Sequence, residues 1–520
     1  MTDKFLRGAM ILTLAGLMVK VIGSVNRILL SRLLGGEGIG LYQMAYPVYL
    51  LLLAISAAGI PVAISIIVAG YLAKEDYASV NRFFKASLRL MVLLGAVLAV
   101  LLFFAAGWLV DSGIVKDGRA YYALIALTPA IFFATILASF RGFFQGHQLM
   151  TPPAISQIVE QFIRVCTMLV LAYALLPYGL EYAAAGAAFG AVPGSLTGII
   201  VLSFFYHRYR KLWQKHNVLS VDAAEHKESI ASMMKRLLLL ALPVSCANVL
   251  VPATSSIDML LVPNRLVDAG FSVEQATTLF GYLAGMAQPL LMMATIPTMS
   301  LSASLVPAIS ASFALNDRAE IERKAATAVK LCCLITVPAS IGMTVLAAPI
   351  SLLLYGTGKA AVAIAHSGPA ICLLGLQQVT TGILQGMGRI QLPMLHMLVG
   401  IAAKVAAVWF LTDAAFNIAG AAWATNINFG LTALLNIFVL HYYKVYFPWY
   451  NIAKIAVASA IMGAAAHYGY GLLLTLWGRT GGAIGALLLA IAVYVVLLPL
   501  LGVLTKAELR QLPIIKKLMK

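Results

Sequence analysis

Fourteen apolar segments, each long enough to cross a lipid bilayer, follow one another along the chain. A transmembrane helix needs about 20 mostly apolar residues. Only 11% of the 520 residues are charged, against about 25% in an ordinary soluble protein. The predicted fold class is therefore all-α, a polytopic membrane protein with 14 transmembrane helices. The segments are expected near residues 9–33, 41–72, 88–110, 121–145, 154–176, 183–206, 237–262, 281–313, 331–354, 366–387, 394–412, 418–442, 452–476 and 483–504.

Two of these segments, the second and the eighth, are longer than a bilayer requires. We expect them to be tilted, kinked at Pro61 and Pro307, or extended beyond the bilayer. The glycine spacings Gly186-x-x-x-Gly190 and Gly481-x-x-x-Gly485 predict close packing between helices.

The 36 lysines and arginines are distributed unequally between the two sides of the membrane. An even number of spans places both termini on one side, where 25 of these cations fall, with six on the opposite side and five within spans. Loops rich in Lys and Arg stay in the cytoplasm, so both termini are expected there. This cytoplasmic bias explains the net charge of +17, which therefore does not indicate nucleic-acid binding. The basic stretches 74–89 and 317–330 predict amphipathic helices lying on anionic lipid at the cytoplasmic face.

Short motifs recur at a period of roughly 240 residues. Phe144-Gln145-Gly146 returns as Leu384-Gln385-Gly386, and Ala185-Gly186-Ala187-Ala188-Phe189 returns as Ala419-Gly420-Ala421-Ala422-Trp423. The repeats predict two six-helix halves in the same orientation, separated by a cleft, with two extra helices after them. The domains are then 1–236, a lobe with its cytoplasmic linker; 237–445, a second lobe; and 446–520, the extra helices with a basic tail.

Seven charged side chains fall inside the apolar segments. Charges within spans are costly and usually face the interior or a water-filled cavity. Five cations against two acids favour an anionic ligand, whereas an exporter of cationic drugs should hold an excess of carboxylates. Arg binds phosphate bidentately and Lys acts as a point charge, so a pyrophosphate linking a sugar to a polyprenyl chain is a suitable ligand. The seven are Lys20, Arg27, Arg141, Glu160, Arg164, Asp258 and Lys404.

The four cations of the first half are predicted to bind the substrate. Lys20 and Arg27 are seven residues apart and share one helix face. Arg27 and Arg141 lie near segment ends, so an alternative for each is that its head group extends to the bilayer surface. The four substrate-binding candidates are Lys20, Arg27, Arg141 and Arg164.

The remaining charged groups are predicted to act in coupling or gating. Glu160 stands four residues before Arg164, so a purely structural ion pair is the alternative. Lys404 is the repeat equivalent of Arg164 and lacks the acid. Asp258 is expected to pair with Lys404 or with Arg27.

No cofactor, metal or catalytic centre is predicted. The five cysteines lie within apolar segments and lack the spacing of metal or redox sites, and His147 and His366 are isolated. The longest outer loop, 263–280, carries Asp268 and Glu274 but no constellation suited to glycosyl transfer. No P-loop is present. A structural scaffold is the other alternative, although buried unpaired cations suit packing poorly.

Several features together resemble a known group of exporters. They are an arginine in the first helix followed by Ser31-Arg32-Leu33-Leu34-Gly35-Gly36-Glu37-Gly38-Ile39-Gly40-Leu41-Tyr42, the Gln-Gly corner with Pro after the fourth and tenth helices, and the plan of six, six and two helices. This pattern is similar to the polysaccharide-transport branch of the multidrug/oligosaccharidyl-lipid/polysaccharide exporter superfamily, nearest to the stage V sporulation protein B group, relatives of the lipid II flippases.

The resemblance implies an alternating-access flippase of the bacterial cytoplasmic membrane and not an enzyme. Its cargo would be a polyprenyl-pyrophosphate-linked cell-envelope glycan precursor, first of all peptidoglycan lipid II, with the extra helices forming a groove for the lipid tail. The alternatives are an exporter of another lipid-linked polysaccharide intermediate and a cation-coupled multidrug antiporter. The coupling ion (sodium or proton), a role in growth or sporulation, and cell-wall synthesis proteins as partners stay open.

Overall fold

Helix is the only regular secondary structure in residues 2–57, 59–217 and 228–503, the part of the chain that the structure, a computed structural model, describes. Within these residues, eleven helical stretches are long and apolar enough to cross a membrane. The chain divides into unit 1, Met1–Asn264 with Ser272–Gly281, and unit 2, Arg265–Phe271 with Tyr282–Lys520. The predicted class, an all-α membrane protein with many spans, is confirmed.

The helices are numbered in chain order. Those that begin in unit 1 are α1 (Thr2–Ser56), α2 (Ile60–Ala73), α3 (Tyr77–Asp111), α4 (Tyr121–Gly146), α5 (Thr151–Leu175), α6 (Leu180–Phe189), α7 (Ala191–Asn217), α8 (Ile230–Asp268) and α9 (Val273–Phe280). Those of unit 2 are α10 (Gln288–Ala294), α11 (Ile296–Ala314), α12 (Arg318–Val345), α13 (Ala347–Tyr355), α14 (Ala361–Ser367), α15 (Pro369–Gly386), α16 (Gln391–Leu411), α17 (Asn417–Tyr442) and α18 (Trp449–Leu500). A π-helical segment, Gly281–Ala287, connects α9 to α10.

Two glycines break the longest helical runs. Gly35 in α1 and Gly478 in α18 have φ near 69°, a conformation that side chains with a Cβ rarely adopt. In a straight helix Arg27 and Tyr46 would lie nearly 30 Å apart, yet the Arg27 guanidinium lies 5.8 Å from the Tyr46 ring centroid. Each run therefore contains two helical segments, and α1 folds back at a single residue.

Prolines decide where the long second and eighth segments are interrupted. α2 begins at Ile60 with Pro61 in its first turn, because the proline ring fits the start of a helix and lacks only an N–H that would be unpaired there. The interruption expected at Pro61 is confirmed. Pro307 lies inside α11, where the helix continues, and a kink there stays a prediction. The interruption of this segment falls at Thr295, just before α11 begins with Pro297 in its first turn.

The basic stretches continue into long helices. The Asp76 carboxylate accepts a hydrogen bond from the Ser79 backbone N–H at 2.9 Å, and that of Asp317 accepts one from Glu320 N–H at 3.0 Å. Such N-cap side chains accept hydrogen bonds from backbone N–H groups of the first helical turn, which have no partner within the helix. α3 then runs unbroken to Asp111. These stretches form the first turns of α3 and α12, and their location on anionic lipid at the cytoplasmic face stays a prediction.

Glycines allow helices within each unit to pack closely. A Cβ at Gly142 of α4 would lie 2.7 Å from the Pro61 carbonyl oxygen of α2, and one at Gly386 of α15 would lie 2.7 Å from Ile309 Cβ of α11. The same holds for Gly186, where a Cβ would meet Leu175 Cδ1 at 2.9 Å. The predicted role of Gly186 in close packing is confirmed.

A polar cluster near the Gly35 break holds three segments of unit 1 together. The Arg119 guanidinium donates to Glu37 at 2.7 Å and to Asp117 at 2.8 Å. The Thr277 hydroxyl of α9 donates to the same Asp117 carboxylate at 2.8 Å. Burial raises the pKa of Asp117, but the hydrogen bonds from Arg119 and Thr277 outweigh burial and hold it below its usual value. We call these four residues the Asp117 cluster.

Replacing Asp117 by Asn should lower the free energy of unfolding by about 1 to 3 kcal/mol at neutral pH, because buried hydrogen-bonding groups lose their charged partner. The carboxylate stabilises the fold above its unfolded pKa of about 3.9, and this contribution is lost as the pH falls through the lower folded pKa. The difference between variant and parent should therefore shrink in acid. Thermal denaturation in detergent at several pH values measures it. Asp111→Asn, at the exposed end of α3, is the control, and an equal loss there would contradict the assignment.

Candidate functional site

Three predicted site residues meet inside unit 1. Arg141 of α4 donates from Nη2 to Glu160 Oε2 of α5 at 2.6 Å, and Arg164, one turn further along α5, donates from Nη2 to Glu160 Oε1 at 2.9 Å. The three side chains are between 13% and 21% exposed. The pair predicted between Glu160 and Arg164 is confirmed. Glu160 holds Arg141 within unit 1, and the position of Arg141 relative to the bilayer surface stays a prediction. We call these residues the Glu160 triad.

The helix packing around α5 explains why the Glu160 triad can form. Gly194 and Gly198 of α7 face the turn of α5 that carries Glu160 and Arg164. A Cβ at Gly194 would lie 2.9 Å from Arg164 Cβ and 3.0 Å from the Glu160 carbonyl oxygen, and one at Gly198 would lie 3.6 Å from Glu160 Cβ. Small residues let helix backbones approach each other. α7 therefore leaves the two charged side chains of α5 room beside α4.

A cavity of about 270 Å³ adjoins the Glu160 triad. Its wall combines the three charged side chains with two tyrosines and an apolar remainder. Sites that bind small molecules usually have this composition, mostly apolar with a few polar groups. The lining residues are Tyr46, Tyr49, Leu50, Leu53, Ala57, Pro61, Ala134, Leu137, Ala138, Arg141, Glu160 and Arg164.

The charge of this cavity is positive, because one carboxylate is shared by two guanidinium groups. Each guanidinium carries five N–H donors. In the part of the chain that the structure describes, Nε of Arg141 and Nε of Arg164 are buried without a hydrogen-bond partner. Buried donors of this kind are costly unless they are paired. Arg141 and Arg164 also line the cavity, and each donates from one Nη2 to Glu160. Their guanidinium groups therefore give the cavity donor capacity for an anion with several oxygens.

The other predicted substrate-binding residues lie on α1. Arg27 lies over the ring of Tyr46, 5.8 Å from its centroid, and Tyr46 lines the cavity. Lys20 is exposed on α1 and is not among the residues that line the cavity. The structure thus brings Arg141, Glu160 and Arg164 together and connects Arg27 to them through Tyr46.

The two remaining predicted residues are buried in different units. Asp258 of α8 is 2% exposed in unit 1, and Lys404 of α16 is 1% exposed in unit 2. Their predicted pairing stays a prediction.

The cavity also contains groups that the charged residues alone do not predict. Tyr46 and Tyr49 line the cavity. They follow Tyr42 at spacings of four and three residues, the spacing of one helix face. The Tyr42 and Tyr46 rings stack with centroids 5.2 Å apart, and the Tyr46 and Tyr49 rings are tilted with centroids 5.7 Å apart. The glycine spacing Gly190, Gly194, Gly198 marks the α7 face against α5. Both spacings are visible in the sequence, but the sequence does not show which helix packs against each face.

The fold is similar to that of solved lipid II flippase and MATE transporter structures. A solved structure of lipid II flippase MurJ in an inward closed conformation matches with a TM-score of 0.71 over 94% of this chain and 98% of that chain, at 16% identity. An inward-facing MATE family multidrug resistance transporter of the MOP superfamily matches with a TM-score of 0.66 over 84% of this chain and 95% of that chain, at 15% identity. At these identities the likeness is one of fold.

Sequence similarity defines the family. Residues 5–313 match the family described as polysaccharide biosynthesis protein. Stage V sporulation protein B of Bacillus subtilis (strain 168) is 31% identical over 99% of this chain and 98% of its own length. Lipid II flippase MurJ of the same organism is 26% identical over 89% of this chain and 88% of its own length. The chain belongs to the polysaccharide biosynthesis protein family, and the predicted resemblance is confirmed.

Replacing Gly194 by Ala should lower the free energy of unfolding by about 1 to 3 kcal/mol, because the new methyl group pushes α7 away from the Glu160 triad. At Gly107 of α3 a Cβ meets nothing within 4 Å, so Gly107→Ala is the matched control. That variant should be unchanged or more stable by up to about 1 kcal/mol, as Ala favours helix. Thermal denaturation of the two purified variants tests this, and a change of the same sign in both would refute the close packing.

Proposed function

We propose that this protein is a flippase that moves a polyprenyl-pyrophosphate-linked glycan precursor outward across the bacterial cytoplasmic membrane. The observation that carries the proposal is the pair of buried arginines that share Glu160 beside a cavity. An arginine fork matches the oxygens of a phosphate group. The protein is a transporter and not an enzyme, in keeping with its flippase and MATE relatives.

The sign of the cavity separates this proposal from export of cationic drugs. Two arginines face one carboxylate in the lining, which leaves an excess of positive charge. A cationic ligand would be repelled by this arrangement, whereas an anion adds the missing negative charge. Arg27 beside Tyr46 extends the positive region along α1, and we retain Lys20 on the same helix as a further substrate-binding residue.

The identity of the glycan rests on the relatives. One is named as a lipid II flippase and another as a stage V sporulation protein. Lipid II is therefore the first candidate cargo, and another lipid-linked polysaccharide intermediate is the second. Asp258 and Lys404, both buried, are retained as candidates for coupling or gating.

The membrane arrangement that accompanies this proposal has 14 spans and two cytoplasmic termini. The breaks at Gly35 and Gly478 divide two of the eleven candidate stretches, and α8, 39 residues long, supplies the last span. Two six-helix repeats with two extra helices account for this number. The proposal is supported by the equivalent close packing of Gly142 against α2 and of Gly386 against α11.

Removing one arginine should impair transport strongly. We expect Arg164→Gln and Arg141→Gln to slow flipping of a labelled polyprenyl-pyrophosphoryl sugar at least about tenfold, the effect of about 1.4 kcal/mol. Arg164→Lys should restore only part of the rate, because an ammonium cannot form the bidentate fork. Reconstituted vesicles measure the rate. Arg323→Gln, a side chain that is 75% exposed, is the control, and normal flipping by the Arg141, Arg164 double variant would refute the proposal.

Accessibility of introduced cysteines tests the orientation. Cysteines replacing Ser112 and Lys359 should react with a membrane-impermeant thiol reagent in intact cells. Those replacing Lys74 and Arg318 should react only after lysis, because basic loops remain in the cytoplasm. All four positions are exposed, so burial does not limit the reaction, and the parent protein provides the background. The reverse pattern would refute the orientation.

A further inference from the structure

Glu160 occupies the place that an anionic ligand has to take. Its two carboxylate oxygens each accept a hydrogen bond from a different arginine, at 2.6 and 2.9 Å. An incoming phosphate group that binds the same guanidinium groups brings a second negative charge against this carboxylate. Like charges at close distance in a buried site cannot both be retained without a large penalty. Binding of the anion must therefore be accompanied by a change of charge within the site.

The groups around Glu160 offer few ways to compensate the negative charge of the bound anion. α1, α4, α6 and α7 pack against α5. α7 contributes glycines at this level, and α6 packs through Gly186 against Leu171. The titratable and charged groups that line the cavity with Glu160 are Tyr46 and Tyr49 from α1, Arg141 from α4 and Arg164 from α5.

We propose that Glu160 takes up one proton when a pyrophosphate group binds to Arg141 and Arg164, and releases it when the anion leaves. This inference rests on the proposed function, because it takes the cavity as the anion site. The proton comes from the aqueous phase that the anion leaves, and no bond between heavy atoms forms or breaks.

The charge count favours this step. Among the residues that line the cavity, two guanidinium groups and one carboxylate give a net charge of +1 when the site is empty, and Arg27 lies outside this lining. A pyrophosphate diester adds two negative charges, so the loaded site would carry −1 with an ionised Glu160 and zero with a protonated one. A net charge inside a membrane is costly, so the neutral loaded site is the favoured one. A protonated Glu160 also keeps one oxygen as an acceptor and gains an O–H donor for a phosphate oxygen.

Calorimetry can count the proton directly. Geranyl-pyrophosphoryl-N-acetylglucosamine is a suitable probe, because its two phosphate groups are fully ionised near neutral pH and do not titrate. Its binding to the full-length protein in detergent is measured in HEPES and in Tris at about pH 7.5, where histidines with a pKa near 6.5 are largely neutral. The dependence of the binding heat on the buffer gives the number of protons taken up.

The parent protein should take up about one proton per anion, and its affinity should fall by up to about tenfold for each pH unit above neutrality. Glu160→Gln should take up none, and its affinity should be independent of pH and at least about tenfold tighter. Glu274→Gln, an exposed acid of α9, is the control and should behave as the parent. Binding without proton uptake by the parent, or equal uptake by Glu160→Gln, would overturn the inference.

Two further outcomes separate this inference from the proposed function. Normal flipping in vesicles together with no proton uptake would refute the role of Glu160 and leave the flippase intact. No binding and no flipping of the probe lipid would refute the flippase itself. If Glu160→Gln does not fold, proton uptake and the pH dependence of the parent decide alone, since the probe does not titrate.

Discussion

The Glu160 carboxylate is the interaction on which the interior of unit 1 depends. Two guanidinium groups can remain inside an apolar helix assembly only if a counter-charge and hydrogen bonds meet them there. Glu160 does this for Arg141 and Arg164 at 2.6 and 2.9 Å. That geometry requires α5 to lie close to both α4 and α7, which explains why Gly194 stands opposite Arg164. Helix packing and cavity charge therefore have one cause.

Unit 2 uses the same close approach of two helices with different chemistry. Gly400 of α16 precedes Lys404 by four residues, as Glu160 precedes Arg164. A Cβ at Gly400 would meet the Thr432 hydroxyl, and it would lie 2.6 Å from Asn428 Oδ1 of α17. The polar groups thus come from α17 here, whereas α5 supplies them in unit 1, and they are neutral. The groups that a Cβ at Gly400 would meet are therefore neutral, unlike the carboxylate that the Glu160 triad shares.

The sequence alone predicted the apolar segments, the buried charges and the Glu160–Arg164 pair, since each depends on local spacing. It did not predict that Arg141 would reach Glu160, because that contact joins two helices across a turn and 19 residues. The Asp117 cluster was missed for the same reason, as Thr277 lies 160 residues from Asp117. The break at Thr295 was also not predicted, because a proline such as Pro307 can lie inside a helix when its neighbours compensate. Local sequence patterns do not determine contacts between residues that are distant in the sequence.

The size of the cavity limits what unit 1 can recognise. At about 270 Å³ it lies just below the range of about 300 to 1,000 Å³ typical of sites that enclose a drug-sized ligand. A pyrophosphate with its first attached atoms is much smaller than a glycan carrying a peptide or several sugars. The polar groups that converge on this space are guanidinium donors, which suit phosphate oxygens. On the proposed function, this site therefore binds the linkage shared by all polyprenyl-pyrophosphate sugars, and any choice among glycans comes from contacts outside it.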